Sequence, residues 1–486
     1  MNRSILFLTP LTLAFTFSAL CQQVQWARTY GGSWQDGGQC VTKTADGGFV
    51  LTGFNSSVNS SHSKDVLLMK TNASGDEVWS RYYGGPMDDI GRCVRQTADG
   101  GYIITGMTEV SPQVFDPFLI RTDSSGNFLW QRSYDFGDDD RGHAVWQTAD
   151  GGFILAGQAW VGSVTFGSYD MYVVKTDATG NVEWQRTYEY DDTASPGADV
   201  ALSIQQLSDK GYIIGGFTQS SVWASFLVRT DSLGQSLWSR TYNDGSVNEC
   251  YAVQTTRDGG FVLTGGLVSY VTDTDVFLIK TDSAGNPIWQ KIYGGENADD
   301  GESVRELSDG GFAIAGMTAS YGAGMWDVYV LRTNASGDTL WTRSFGGDSD
   351  DRGYSVDQAD DGSIVLAGWS WSLGQGLGDA YVIKLNDTPL NANADKNRPN
   401  SAGLCQNFPN PFNPTTTIRF QVAQAGPVTL KVYNVLGQEV ASLLDAVMKP
   451  GEYSVEWEAR LQSSGVYFYR LQTPTFAETK GMILVR

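Results

Sequence analysis

Thr176-Asp177-Ala178-Thr179-Gly180-Asn181 leads into Trp184-Gln185-Arg186-Thr187-Tyr188, and this turn and strand decide the fold because the unit recurs along the chain. Its Trp stands at positions 26, 79, 130, 184, 238, 289 and 341, in steps of 53, 51, 54, 54, 51 and 52 residues. Each Trp begins a Trp-x-Arg-x-Tyr pattern, with Lys291 replacing Arg once and Phe345 replacing Tyr once. Seven copies in register indicate a repeat architecture.

Each unit contains four short apolar segments separated by turn residues, which predicts four strands. An Asp-Gly turn such as Asp150-Gly151 joins the first two strands, because Gly accepts the positive φ of a tight hairpin. Four-stranded units of about 50 residues are typical of β-propellers, in which blades stack around an axis. The sequence therefore predicts an all-β chain with a seven-bladed propeller over residues 22–388.

The phase of the repeat predicts how the ring closes. The first unit opens with a Trp strand, residues 24–30, and the last unit ends with its third strand, residues 380–385. The missing fourth strand can come from the N-terminus, which would remove an exposed sheet edge. Residues 24–30 are therefore predicted to be the outer strand of the last blade.

Composition and charge restrict the function. The chain has 33 Lys+Arg against 54 Asp+Glu, a net charge of -21, which argues against nucleic-acid or anionic-membrane partners. The two histidines, His62 and His143, fall in different units, and no zinc spacing, nucleophile elbow or phosphate loop occurs. No catalytic residue is predicted.

The N-terminus is predicted to be a signal peptide over residues 1–21. Arg3 precedes an apolar stretch, residues 5–20, and Ala19 and Cys21 suit the small positions of a cleavage site. Lipid attachment at Cys21 is the alternative, disfavoured by the bulky Leu20. No later apolar run is long enough to span a bilayer.

Two sets of Asp recur with the repeat. One precedes the first strand of each blade, with Asn248 in the seventh copy: Asp36, Asp89, Asp140, Asp199, Asp299 and Asp351. These carboxylates could gather at the channel mouth as a Ca²⁺ site, or each could bond its own turn backbone. The other set opens most third strands, for ion pairing or turn capping, with Ala224 as the exception: Asp65, Asp116, Asp170, Asp275, Asp327 and Asp379.

The loops between second and third strands vary in length and carry aromatic residues. The candidate ligand-binding residues on them are Trp160, Trp223, Trp326, Trp369 and Trp371. Variable loops on a rigid scaffold often carry function, and exposed aromatics can stack on sugars or anchor a protein. Packing over the blade edges is the alternative. The leading hypothesis is a binding or adhesion protein; the others are a glycan-active hydrolase or lyase using acidic residues at the channel mouth, and a purely structural protein.

The Trp that follows the Gly-Asn turn resembles the docking Trp of pyrroloquinoline-quinone-type propeller repeats. The resemblance covers one strand pair per blade and implies packing between blades. It carries over no quinone, because the sequence has no vicinal Cys pair and no metal cluster to hold one.

The C-terminal part has a different composition. Residues 389–404 read as a linker, and residues 405–486 as a small β-sandwich of short strands. This region resembles the type A C-terminal sorting domain of the type IX secretion system. The residues that carry the resemblance include Asn410, Pro411, Phe412, Asn413, Pro414, Gly437, Gly465, Tyr467 and Lys480. The resemblance implies the secretion machinery as a partner, and a protein that is secreted or held on the outer-membrane surface.

Overall fold

The computed structural model describes residues 24–58, 62–163, 166–189, 197–219, 223–243, 247–268, 274–387, 403–405, 407, 410, 412, 414–460 and 462–484. Every regular element in these ranges is a β-strand. The chain divides into two compact units, one over residues 29–384 and one formed by residues 385–486 together with residues 1–28. The predicted signal peptide and most of the predicted linker lie outside the described residues.

The repeat region forms seven four-stranded antiparallel sheets within the described residues. Its strands are β1 (Val24–Tyr30), β2 (Asp36–Lys43), β3 (Phe49–Asn55), β4 (Asp65–Thr71), β5 (Glu77–Tyr83), β6 (Asp89–Gln96), β7 (Tyr102–Ser111), β8 (Val114–Thr122), β9 (Phe128–Ser133), β10 (Arg141–Gln147), β11 (Phe153–Ser163), β12 (Phe166–Thr176), β13 (Val182–Tyr188), β14 (Asp199–Gln206), β15 (Tyr212–Gln219), β16 (Trp223–Thr230), β17 (Ser236–Tyr242), β18 (Val247–Thr255), β19 (Phe261–Val268), β20 (Thr274–Thr281), β21 (Pro287–Tyr293), β22 (Asp299–Glu306), β23 (Phe312–Thr318), β24 (Asp327–Thr333), β25 (Thr339–Phe345), β26 (Asp351–Gln358), β27 (Ile364–Ser370) and β28 (Asp379–Leu385).

Six sheets use four consecutive strands, from β2-β3-β4-β5 to β22-β23-β24-β25. The seventh has the order β1-β28-β27-β26, so the N-terminal strand supplies its fourth member, as predicted. The first strands lie against one another in the order β2, β6, β10, β14, β18, β22 and β26, and β26 lies against β2. The repeat region is therefore a β-propeller. A ring of seven blades stays the prediction made from the sequence, and these contacts support it.

The recurring Trp packs between neighbouring sheets, as predicted. Trp130 contacts Phe153 of the next sheet edge to face, with 6.0 Å between ring centroids. The Trp also lies on the Gly of the next sheet's Gly-Asn turn: a Cβ at Gly180 would come within 2.8 Å of Trp130. Arg132 stacks on the same indole at 5.8 Å. The Trp and the Arg of the motif therefore form one contact between sheets.

The Tyr of the motif completes this contact. Tyr134 donates its hydroxyl to the Gly180 carbonyl at 3.0 Å. Five other Tyr residues make the same bond to the next sheet: Tyr30 to Gly75, Tyr83 to Gly126, Tyr188 to Gly234, Tyr242 to Gly285 and Tyr293 to Gly337. Phe345 stands where the following sheet takes its last strand from the N-terminus and has no such turn. The single Phe therefore occurs where no Gly carbonyl needs a donor.

We expect Tyr134→Phe to destabilise the protein by about 1 kcal/mol, because it leaves the buried Gly180 carbonyl without its donor. Phe345→Tyr is the matched control. It adds a hydroxyl at a position where the next sheet has no turn carbonyl to accept a hydrogen bond, so it should not increase stability. Chemical denaturation of both variants measures the difference. Equal effects of the two changes would contradict this account of the motif.

The C-terminal unit is a β-sandwich, as predicted. Its strands are β29 (Gly403–Leu404), β30 (Thr415–Val422), β31 (Gly426–Asn434), β32 (Glu439–Met448), β33 (Gly451–Glu458), β34 (Gly465–Gln472) and β35 (Ala477–Leu484). They form the sheets β29-β30-β33 and β32-β31-β34-β35. Ile418 and Phe420 of the first sheet and Leu430 and Tyr469 of the second share one buried apolar core.

Candidate functional site

The variable loops and the first set of Asp residues lie on the same face of the propeller, as predicted. Asp36 accepts hydrogen bonds from the loop residues Ser56 and Ser57, at 2.9 and 2.8 Å. Asp140 accepts one from the Trp160 amide at 2.9 Å. These bonds join the start of β2 to the loop after β3 in one sheet, and the start of β10 to the outer part of β11 in another. The Asp residues thus hold the loops in place.

All six carboxylates of this first set are buried. For five of them the turn that precedes the strand donates backbone amides, for example Gly32 to Asp36 at 2.6 Å and Gly85 to Asp89 at 2.7 Å. Asp140 accepts two such bonds, from Phe136 and Gly137. The turn chemistry weighed in the sequence is therefore present at these positions.

The second set of Asp residues lies against the first. Asp379 and Asp36 face each other across Gly31, where an added Cβ would be 1.7 Å from one carboxylate and 2.9 Å from the other. The other five pairs are Asp65 with Asp89, Asp116 with Asp140, Asp170 with Asp199, Asp275 with Asp299 and Asp327 with Asp351. At the remaining junction Ala224 replaces one member and Asn248 the other. The two Asp positions are therefore occupied as a pair or not at all.

Ion pairing and turn capping are the two roles expected of the second set. Turn capping is present: Asp327 accepts the amides of Ala323 and Gly324, at 3.0 and 3.2 Å. Burial and the neighbouring carboxylate charge raise the pKa of Asp379 to about 7. Burial, with the charges of Glu189 and Asp199, raises the pKa of Asp170 to about 6. These acids thus hold their protons far more tightly than exposed ones.

The calcium hypothesis stays a prediction. Among the described residues, no group of three or more His, Cys, Asp or Glu side chains could hold a metal ion. A cation would therefore have to bridge a carboxylate pair such as Asp36 and Asp379, with backbone oxygens completing its shell. If it does, calcium titration will raise the melting temperature of the protein. The absence of any shift would contradict the hypothesis.

The five candidate Trp residues differ in exposure. Trp371 is 53% and Trp223 42% exposed, whereas Trp160, Trp326 and Trp369 are partly buried. Trp160 packs edge to face on Tyr169 at 5.0 Å. Within the described residues, Trp369 and Trp371 are the only two of the five whose rings contact each other. Their ring centroids are 5.3 Å apart and their planes lie at 83°. The expectation that all five lie on loops is wrong for three of them, because the strands extend further than predicted: Trp160 lies in β11, Trp223 begins β16 and Trp369 lies in β27.

Trp371 borders a pocket of about 440 Å³ together with Gln35, Gly376 and Leu377. Gly378 holds this loop against both indoles: a Cβ there would lie 2.4 Å from Nε1 of Trp369 and 2.7 Å from Cδ1 of Trp371. Because Gly378 also has a φ of +127°, the loop needs Gly at this point. The Trp pair is therefore fixed by close backbone packing.

A second aromatic pair lies next to this loop. Trp34, 42% exposed, stacks on His62 with 3.8 Å between ring centroids. A Cβ at Gly376 would touch Ser33, which places the Trp371 loop beside Trp34. Trp34 is not among the candidate residues predicted from the sequence, because it precedes a first strand and does not lie in a variable loop after a second strand.

Three titratable groups on the first strands β10 and β22 have strongly shifted pKa values. Burial raises the pKa of Glu302 to about 8 and that of Asp300 to about 7. Burial lowers the pKa of His143 to about 3. Titratable groups shifted this far are common at functional sites, although structural networks shift them too.

Residues 406–485 match the family model of the secretion system C-terminal sorting domain. This region is a type IX secretion sorting domain. Export to the cell surface or the medium follows from it. In the sorting domain, Phe412 packs on Trp457 at 5.5 Å, and Asn410 accepts the Ile483 amide at 2.8 Å. The segment that contains Asn410 and Phe412 is thereby hydrogen-bonded to β35, the last strand of the domain.

Other predicted sorting residues have structural roles in the domain. Gly437 has a φ of +75° in the turn before β32, and Tyr467 donates to the Ser463 carbonyl at 2.8 Å. Lys480 lies in β35, 3.6 Å from Glu478, while Gly465 begins β34 and Pro414 lies just before β30. Pro411 and Asn413 lie outside the described residues.

The chain is also similar to other known proteins. A segment is 30% identical over 147 residues to the regulatory protein FlaEY of Caulobacter vibrioides, covering 28% of this chain and 15% of that protein. The chain thus spans a small part of that relative. The Neurospora crassa Pan2 WD40 domain aligns at 11% identity with a TM-score of 0.45, over 76% of this chain and 98% of that one. A puromycin hydrolase aligns at 12% identity with a TM-score of 0.47, over 82% and 62%.

No helix within the described residues is both long and apolar enough to cross a membrane.

Proposed function

We propose that this type IX-exported protein acts at the cell surface or in the medium as a binding or adhesion protein, with its ligand held by the variable loops of the propeller. The observation that carries the proposal is the pocket beside Trp371. An exposed indole that its own loop holds rigidly loses little freedom when a ligand covers it. Such an indole can stack on a sugar ring or enter a pocket of a protein partner.

The surroundings of Trp371 favour a ligand of some length. Trp371 and Leu377 expose apolar surface beside the Gln35 side chain, and the Trp34–His62 stack extends this surface onto the neighbouring loop. Mixed aromatic and amide groups are typical of sites that bind polar ligands with apolar faces, such as glycans. A glycan is therefore the first ligand class to test.

The test screens the secreted chain for binding to polysaccharides and to candidate surface proteins. We expect Trp371→Ala to weaken binding by about 30-fold, the effect of losing a central anchor. Phe128→Ala is the matched control, because Phe128 is 54% exposed on the outer strand β9, away from the loop face. Equal losses in the two variants would contradict a loop-face site. Turnover of a glycan would instead favour the hydrolase or lyase predicted as the alternative.

A further inference from the structure

One residue of the first strand falls out of register in every sheet. The ladder between the first and second strands shifts at the same point each time, between Gly38 and Cys40 in the first sheet and between Gly353 and Ser355 in the last. The seven bulged residues are Gln39, Arg92, His143, Leu202, Tyr251, Glu302 and Tyr354. Bulges are common beside functional sites because they redirect a side chain.

Each bulged residue is partly exposed, and the residue before it is buried in every sheet. The flanking positions carry only small residues such as Gly, Ala, Ser and Cys, whereas the bulge carries six kinds of side chain. A repeat constrains its structural positions to similar residues. Because the side chain at the bulge differs between sheets, the repeat fold does not dictate it. It can therefore serve to recognise a ligand.

The bulged side chains converge on one another across sheets. Arg92 donates to Oε1 of Gln39, on the preceding first strand, at 3.0 Å. Arg92 also interacts electrostatically with Tyr354 and Glu302, which belong to two further sheets. Gln39 and Arg92 are thus in direct contact, and the first strands that carry Tyr354 and Glu302 belong to the same series of neighbouring first strands.

This series of first strands has a basic side and an acidic side. Arg92, Arg141 and Arg352 lie on β6, β10 and β26, which are neighbours through β2 in the order of contacts. The acidic groups Glu249, Asp300 and Glu302 lie on β18 and β22, which contact each other. Arg141 and Arg352 are already paired with Asp139 and Asp350, at 2.9 and 3.1 Å. Arg92 is therefore the basic group left to meet a ligand.

The two sides do not neutralise each other directly. Within the described residues, no ion pair of 4.0 Å or less joins Glu249, Asp300 or Glu302 to an arginine. Nε of Arg92 is buried without a hydrogen-bond partner. A guanidinium group and a carboxyl group that do not pair with each other suit a ligand that carries both signs, because the ligand's ammonium group favours the ionised carboxylate.

We propose that the bulged residues form a second binding site, for a small zwitterion whose carboxylate pairs with Arg92 and whose ammonium group pairs with Glu302. An amino acid or the ends of a short peptide have this chemistry. The proposal is independent of the variable-loop site. Because Glu302 holds a proton near neutral pH, an arriving ammonium group should displace it, and binding should release a proton to the buffer.

The test is isothermal titration calorimetry of the full secreted chain with glycine and diglycine, and with N-acetylglycine and glycinamide as singly charged controls. We expect the zwitterions to bind about tenfold or more tightly than either control. Titrations in buffers of different ionisation enthalpy should reveal the released proton. Binding of N-acetylglycine as tight as that of glycine would overturn the proposal, as would the absence of zwitterion binding at millimolar concentration.

Variants locate the site. Arg92→Gln and Glu302→Gln should each weaken glycine binding by about tenfold. Glu302→Gln should also abolish the proton release, which a merely structural role would not predict. Arg132→Gln, on an outer strand, is the control that should bind normally. If Arg92→Gln fails to fold, Arg92→Lys keeps the charge and should retain part of the binding; binding unchanged in the folded Glu302→Gln protein would overturn the assignment.

Discussion

Replacing Asp379 by Asn is expected to stabilise the protein at about pH 8 by up to about 4 kcal/mol, since each unit of pKa shift corresponds to about 1.4 kcal/mol. Asp379 is 2% exposed, and its Oδ1 has no hydrogen-bond partner and lies beside Asp36. Its pKa rises from 3.8 to about 7 on folding. At about pH 8 the folded protein therefore contains a buried, ionised carboxylate, which is better solvated in the unfolded state.

The sign of the pH dependence follows from this shift. A raised pKa means that the folded state binds the Asp379 proton more tightly than the unfolded state, so the contribution to stability is present below about pH 4. It is lost as the pH rises towards 7. The Asn variant does not titrate, so it should match the wild type at about pH 4 and exceed it at about pH 8.

Urea denaturation at a series of pH values measures this difference. Asp138→Asn is the matched control, because it removes the same charge from an exposed side chain in the loop before β10. Its difference from the wild type should stay small throughout. A destabilised Asp379→Asn protein at every pH would contradict the description of the carboxylate pair.

Gly180→Ala is expected to cost about 2–4 kcal/mol, against about 1 kcal/mol for Gly151→Ala. Both glycines have positive φ, +82° and +87°. At Gly151 an added Cβ meets nothing within 4 Å, whereas at Gly180 it would come within 2.8 Å of Trp130 and 2.9 Å of Arg132. Both variants therefore strain the backbone, but only Gly180→Ala brings a Cβ into contact with the docking Trp.

Thermal and chemical denaturation of the two variants separate these effects. Equal losses would mean that Trp130 can move away at no cost, and the contact between sheets would then not be the rigid element described above. If the loss at Gly180 is larger, we expect a similar loss of stability on substitution of Gly126 or Gly234 by Ala. These glycines lie against Trp79 and Trp184 in the same way.

The sequence predicted the sheets because the repeat marks every turn and every docking Trp. It predicted the N-terminal strand as the partner of β28 from the phase of the repeat alone. It also placed the variable loops and the first Asp set on one face. These features depend on local turn chemistry and on periodicity, which a single sequence contains.

The carboxylate pairs and the bulged residues could not be predicted in the same way. The members of a pair, such as Asp65 and Asp89, belong to neighbouring sheets and meet only when those sheets pack. One signal was present: Ala224 and Asn248, the two exceptions in the Asp sets, fall at the same junction. The bulge depends on ladder register, which sequence spacing alone does not fix.

The grouping of the candidate Trp residues follows from the sequence only where they are close in the chain. Trp369 and Trp371 are in contact because they are two residues apart, whereas Trp160 and Trp326 are partly buried in other blades. Loop conformations depend on contacts such as that of Gly378 with both indoles, and the periodic pattern contains no information about those contacts.

The central claim is that this exported protein binds a ligand through its variable loops. The most direct measurement is glycan-array binding of the secreted chain, with and without calcium, beside a variant carrying Trp369→Ala and Trp371→Ala. The account predicts saturable binding by the wild type that the folded double variant loses. Absence of binding by the folded wild type, or equal binding by the double variant, would contradict a glycan site on this face.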